Sequence, residues 1–205
     1  MDRYFRWFGL PGAVVLSSLM SALALVLALC DSTPVRWLCF AAMALSSVGD
    51  VFLAHLTKLN TRFRSCFLIG TVFFMAAHIF YCLCYNMKLQ AVGGSLWNPG
   101  TAIAGIIGIS AAIRLLLLSL KSGRTQKLPL IFVYLAVILL NCTVVLSYAW
   151  AQRMQFSAVC AAVGMVSFLL SDLIIGLSLT GGIHRFDRLT WWLYPIGQIL
   201  LILSA

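Results

Sequence analysis

Residues Trp37–Leu56 read WLCFAAMALSSVGDVFLAHL, an apolar run broken by a single charged group, Asp50. The run matches the ~20 residues that carry a helix across a bilayer. A carboxylate at the middle of such a helix costs roughly 2.5–3.5 kcal/mol on insertion scales, and less near an end. Ser46 and Ser47 lie four and three residues before Asp50, so all three share one helical face. Gly49 removes bulk beside the acid and lets a second helix approach. An acid in this setting faces a bundle interior or a watery cavity. Two readings follow. The acid is paired to hold helices together, or it does chemistry.

The other residues fix the setting. Of 205 residues, 62% are hydrophobic and 9% charged, and the mean hydropathy is +1.03. Such a composition excludes a soluble globular domain and a disordered chain. It predicts an all-α, multi-pass integral membrane protein with one domain over residues 1–205, placed in the cell membrane if the source is bacterial. The first apolar run, Leu10–Cys30, is too long for a signal-peptide core and lacks a clear small-residue cleavage site, so it reads as a retained helix. The net charge of +9 is dispersed between apolar runs. It is a topology signal, and no nucleic-acid partner is expected. The acids are Asp2, Asp31, Asp50, Asp172 and Asp187, with no glutamate. Asp50 and Asp172 are the two that lie inside apolar runs. Seven scattered cysteines read as small buried residues. Cys82-Leu83-Cys84 has no matching histidine pair, so neither a metal nor a cofactor is expected.

Seven spans of bilayer length can be drawn: Leu10–Cys30, Val35–Leu56, Arg64–Tyr85, Pro99–Leu120, Leu128–Trp150, Phe156–Leu179 and Leu189–Ser204. The basic residues alternate between their ends. Arg3, Arg6, Lys58, Arg62, Arg64, Lys121, Arg124, Lys127, Arg185 and Arg188 fall on one side, ten in all, against Arg36, Lys88 and Arg153 on the other. The bias places the amino terminus inside and the carboxyl terminus outside. The tryptophans mark span ends, Trp37, Trp97 and Trp150 outside, Trp7, Trp191 and Trp192 inside. Arg114 lies near the inner end of span four. It either snorkels to the interface or contacts a lipid phosphate.

Polar residues recur within the spans. Phe74, His78 and Tyr81 follow i, i+4, i+7 spacing in span three and share a face. Span five carries Tyr134, Asn141 and Tyr148 as one stripe, whose simplest reading is interhelical hydrogen bonding. Span six carries Ser171-Asp172. Span seven carries Tyr194 and Gln198, one turn apart. At ~1.5 Å per residue Asp50 and Asp172 each sit roughly 10 Å from the inner end of their spans. Tyr194 is expected at a similar depth and Gln198 one turn deeper, with His78 and Asn141 nearer the midplane. A polar cavity opening inward is thereby permitted.

Taken together, Gly49-Asp50, Gly70 with Phe74, His78 and Tyr81, Ser171-Asp172, and Tyr194 with Gly197-Gln198 resemble the YhhN-like lysoplasmalogenase family of membrane hydrolases. The family looks eight-helical. The seven spans here correspond to a chain lacking the family's first helix. The resemblance implies hydrolysis of the vinyl ether bond of a lysophospholipid substrate, giving a fatty aldehyde and a glycerophospho-base. Two carboxyl groups suit that chemistry, one donating a proton to carbon and one stabilising the resulting cation. Asp50 and Asp172 are the candidate pair. His78 is a candidate for orienting water or relaying protons, as is Tyr81. Tyr81, Asn141, Tyr194, Gln198 and Ser47 are candidates for holding the lipid substrate. A proton-coupled transporter or a non-catalytic sensor of a small amphiphile is the competing reading, since intramembrane acids also serve proton relays.

The seven-span arrangement is checked by reporter fusions. A reporter at residues 121–127 and one after Ala205 should report opposite sides of the membrane, and the same side for both would refute it.

Overall fold

The computed structural model describes residues 9–54, 66–123, 125–126 and 128–205. The topology markers Arg3, Arg6, Trp7, Lys58, Arg62, Arg64, Arg124 and Lys127 lie outside the described residues, as does His55. Among the described residues all regular structure is helical. The helices are α1 (Gly9–Cys30), α2 (Pro34–Ala54), α3 (Cys66–Ala91), α4 (Pro99–Ser122), α5 (Leu128–Ala151), α6 (Phe156–Gly181) and α7 (Asp187–Ser204). Five of them, α2 to α6, are long and apolar enough to cross a membrane. The exposed surface carries many large apolar side chains, among them Leu19, Val72, Ile106, Val163 and Leu203. In water such a surface would aggregate. In hydrocarbon it is the expected exterior. The seven cysteines are free thiols, and Cys39, Cys66, Cys84 and Cys142 are buried.

The helix limits depart from the expected spans where local chemistry extends them. α3 continues to Ala91, past the expected end at Tyr85. Its extra turns bury Leu89 and bring Lys88 to the end of α7. α7 begins at Asp187, whose carboxylate lies in the first turn, where the helix dipole favours an anion. α4 starts at an Asn98 cap that accepts a bond from the Thr101 N–H at 3.3 Å, followed by Pro99. α6 ends on Gly182, whose φ of 67° suits a residue without Cβ.

The chain forms two compact units, one through Cys84 and one over Tyr85–Ser204. In the first, α1 packs on α2, and Ser47 Oγ lies 2.8 Å from the Ser17 carbonyl oxygen and 3.0 Å from that of Met43. α2 and α3 meet at glycines. A methyl group at Gly49 would lie 2.8 Å from the Phe74 ring and 3.2 Å from the Gly70 carbonyl oxygen. One at Gly70 would lie 2.9 Å from Leu53 Cγ.

In the second unit, α6 packs against α4, α5 and α7. The α6–α7 seam is another close glycine approach. A methyl at Gly197 would lie 2.9 Å from the Gly164 carbonyl oxygen and 3.0 Å from the Phe168 nitrogen. Ser122 Oγ donates to the Thr180 carbonyl, tying the ends of α4 and α6. Tyr85 Oη donates to the Leu201 carbonyl at 2.9 Å and lies 2.7 Å from Ser204 Oγ. Lys88 Nζ donates to the Ser204 carbonyl and stands 5.2 Å from the centre of the Tyr148 ring. A cation at a helix carboxyl end is favoured by the dipole. α5 and α6 are joined by residues 152–155, a turn in which Arg153 (φ 49°) and Met154 (φ 57°) are both left-handed.

The α6–α7 seam predicts opposite outcomes for two alanine substitutions. Gly197→Ala should destabilise by about 1–3 kcal/mol through overpacking against backbone atoms that cannot yield. Gly105 has no atom within 4 Å of an added methyl. Gly105→Ala should be neutral or stabilising by up to about 1 kcal/mol. Thermal unfolding in detergent measures both.

Candidate functional site

The first unit holds Ser47, Asp50, His78 and Tyr81. Tyr81 is fully buried, and its hydroxyl lies 3.9 Å from the Met43 sulfur. This contact and the Gly49–Phe74 contact set an antiparallel register between α2 and α3. His78, also buried, then falls at the level of Ser46, one turn from the half-buried Asp50. Phe74, His78 and Tyr81 are all buried, as their shared face requires. Ser46 Oγ is buried without a hydrogen-bond partner among the described residues. Ser47, by contrast, has carbonyl acceptors on α1 and on its own helix. Its geometry is that of a helix–helix link.

The second unit holds Asn141, Asp172, Tyr194 and Gln198. The Tyr134 hydroxyl donates to Asp172 Oδ2. A carboxylate accepts on both oxygens, and the phenol engages one of them. Ser171 Oγ is buried with no hydrogen-bond partner among the described residues. One turn along α6, the Phe168 ring meets Tyr194 edge-on, with centroids 5.4 Å apart. A further turn along, Gly164 meets Gly197, the residue before the fully buried Gln198. The register of α5 against α6, set by the Tyr134–Asp172 bond, puts the buried Asn141 near Met165. The polar groups of this unit therefore form a ladder: Tyr134 with Asp172, then Tyr194, then Asn141 and Gln198. Tyr194 lies one turn from the Asp172 level, which refines the similar depth that the sequence suggests. The reason is the α6–α7 register, in which Tyr194 stands opposite Phe168 and residue 190 stands opposite Asp172.

Tyr134 is the residue that sequence reasoning left out of the site. Its signal was present in the stripe with Asn141 and Tyr148, but the stripe divides. Tyr134 serves Asp172, while Tyr148 packs with Tyr85 and Lys88.

A helical integral membrane protein with carboxylates and other polar side chains inside its apolar helices is the class that these features define. A sequence model of the YhhN family matches residues 12–205, and the chain belongs to that family. Neither the curated proteins nor the solved structures contain a match to it.

The Tyr134–Asp172 bond has a measurable weight. Tyr134→Phe keeps the ring and removes the donor. It should lower stability by about 1.5–3 kcal/mol, the range for a hydrogen bond to a charged group. Thermal unfolding of the detergent-solubilised variant reads this directly, and an unchanged midpoint would show that the bond carries no weight.

Proposed function

We propose that the chain hydrolyses the vinyl ether bond of lysoplasmalogens. The reading is supported by membership of the YhhN family across residues 12–205. The structural observation that carries it is an intramembrane carboxylate, Asp172, held by a phenol donor.

The chemistry follows from the bond. A proton added to the alkene β-carbon leaves an oxocarbenium ion at the carbon bearing oxygen. Water adds there, and the hemiacetal collapses to a fatty aldehyde and a glycerophospho-base. One water is consumed and no redox step occurs. An acid is needed at carbon, and an anion is needed beside the developing cation. Asp172, accepting from Tyr134, suits the anionic role. Asp50 then takes the role of proton donor. His78 and Tyr81 orient water or pass protons. Tyr194, Gln198 and Asn141 hold the lipid, while Ser47 keeps its place as the link between α1 and α2. An ester substrate would instead call for an activated nucleophile and an oxyanion hole.

Asp50→Asn and Asp172→Asn should each lower turnover by ~100- to 10,000-fold, the usual contribution of general acid–base groups. Each should leave a folded, extractable protein. Near-native turnover in either variant would return that aspartate to a structural role.

The bond itself is tested with 1-alkenyl and 1-acyl lysophospholipids. Purified protein should release aldehyde from the first and little fatty acid from the second. In heavy-oxygen water, with the aldehyde reduced at once, label should appear in the trapped alcohol and be absent from the glycerol oxygen. Preferential fatty-acid release would make the protein an ester hydrolase. Intact lipid with proton-dependent uptake into vesicles would make it a transporter.

A further inference from the structure

Helix α4 carries a charge with no place in that reaction. Arg114 lies eight residues before Ser122, so it stands roughly 12 Å short of the helix end at ~1.5 Å per residue. It is exposed; exposed Ile103 and Leu117 lie within about 60° of it around the helix, and exposed Ile106 and Ile113 flank that face at about 80–100°. Among the described residues the side chain of Arg114 makes no hydrogen bond, ion pair or ring contact, and neither does that of Lys121. α4 contains no acid.

Helical geometry relates the two cations. Seven residues are close to two full turns, so Arg114 and Lys121 lie within about 20° of one line along the helix. Their Cα atoms stand about 10 Å apart along the axis at ~1.5 Å per residue. Both side chains are long: Lys121 follows the usual lean toward the amino end, and Arg114 can turn toward the helix end as snorkelling requires, so the two heads can converge on one anion between them. A guanidinium at this depth borders the apolar layer, where an anion beside it is favoured.

The available anion is set by the surroundings. The planar fork of Arg114 matches two phosphate oxygens, and the Lys121 ammonium suits a third as a point charge. Beyond Arg114 toward the amino end, Ile113, Ile106 and Ile103 offer an apolar track. A phospholipid oriented as in a bilayer has its phosphate near the helix end and its chains toward the midplane, the same order as these side chains. Two cations without a neighbouring acid favour a head group of net negative charge. We infer that Arg114 and Lys121 bind the phosphate of an anionic membrane phospholipid, with its acyl chains lying along Ile113, Ile106 and Ile103.

The test uses the full chain in nanodiscs containing phosphatidylglycerol and phosphatidylcholine, with retained lipid counted by native mass spectrometry. Wild type should retain phosphatidylglycerol in preference to phosphatidylcholine, by about fivefold per cation. The double variant R114Q/K121Q should lose the preference, and R114K should keep part of it. Soluble glycerol phosphate should not displace the lipid. Equal retention of both lipids by wild type, or an unchanged preference in R114Q/K121Q, would overturn the inference. Displacement by glycerol phosphate would reassign the site to a free phosphate. A cysteine at position 106 that cross-links two copies would reassign the face to a second chain. R114L separates the site from the fold. It should unfold no earlier than wild type in a zwitterionic detergent while losing the lipid preference, and early unfolding would make Arg114 structural.

Discussion

Within hydrocarbon, helices are not driven together by the hydrophobic effect, because lipid tails are as apolar as leucine. What holds them is how closely their backbones approach. In this protein that approach happens at paired glycines, Gly49 with Gly70 and Gly164 with Gly197. The second pair seats α7 on α6, and α6 is the helix against which α4, α5 and α7 all pack. The Phe168–Tyr194 ring contact and the burial of Gln198 both follow from that seat. A bulkier residue at either glycine would shift every polar group carried by α7.

The helices themselves were legible because apolar runs of bilayer length, ended by Asn-Pro, Gly or Asp, leave little freedom in where a helix lies. Their ends were less so. Lys88 reads as an interfacial charge, and nothing local says that its ammonium will cap the carboxyl end of a helix 116 positions later. The buried face of Phe74, His78 and Tyr81 was legible from its period alone. The stripe of Tyr134, Asn141 and Tyr148 was legible as a stripe, yet its partners were not. Sequence spacing gives the direction of a side chain on its own helix. The identity of the opposing helix and its register come from packing, which is why the spacing within span five does not by itself single out Tyr134 as the partner of Asp172.

The second unit arranges its polar groups in order along the α6 axis. Asp172 and Tyr134 come first, then Tyr194, then Asn141 and Gln198. Each step is about one turn, so a long, thin amphiphile lying along the axis would meet carboxylate, phenol and amides in sequence. An apolar medium makes each such group costly to leave without a partner. Their concentration on facing helices, with apolar residues covering the outer surfaces, keeps them out of the hydrocarbon.

The turn between α5 and α6 has a mechanical consequence. Residues 152–155 are all that join the two helices, and two of them are held in the left-handed region without being glycine. The Tyr134–Asp172 bond lies at the opposite end of this hairpin. The lever arm from turn to bond is roughly 25 Å at 1.5 Å per residue. A tilt of about 5° at the turn would swing the far end by about 2 Å, enough to carry a donor and an acceptor out of hydrogen-bonding range. The angular stiffness of a short surface turn thus sets how accurately a half-buried phenol meets its carboxylate, and sequence variation at Arg153 and Met154 would be felt at the far face of the membrane.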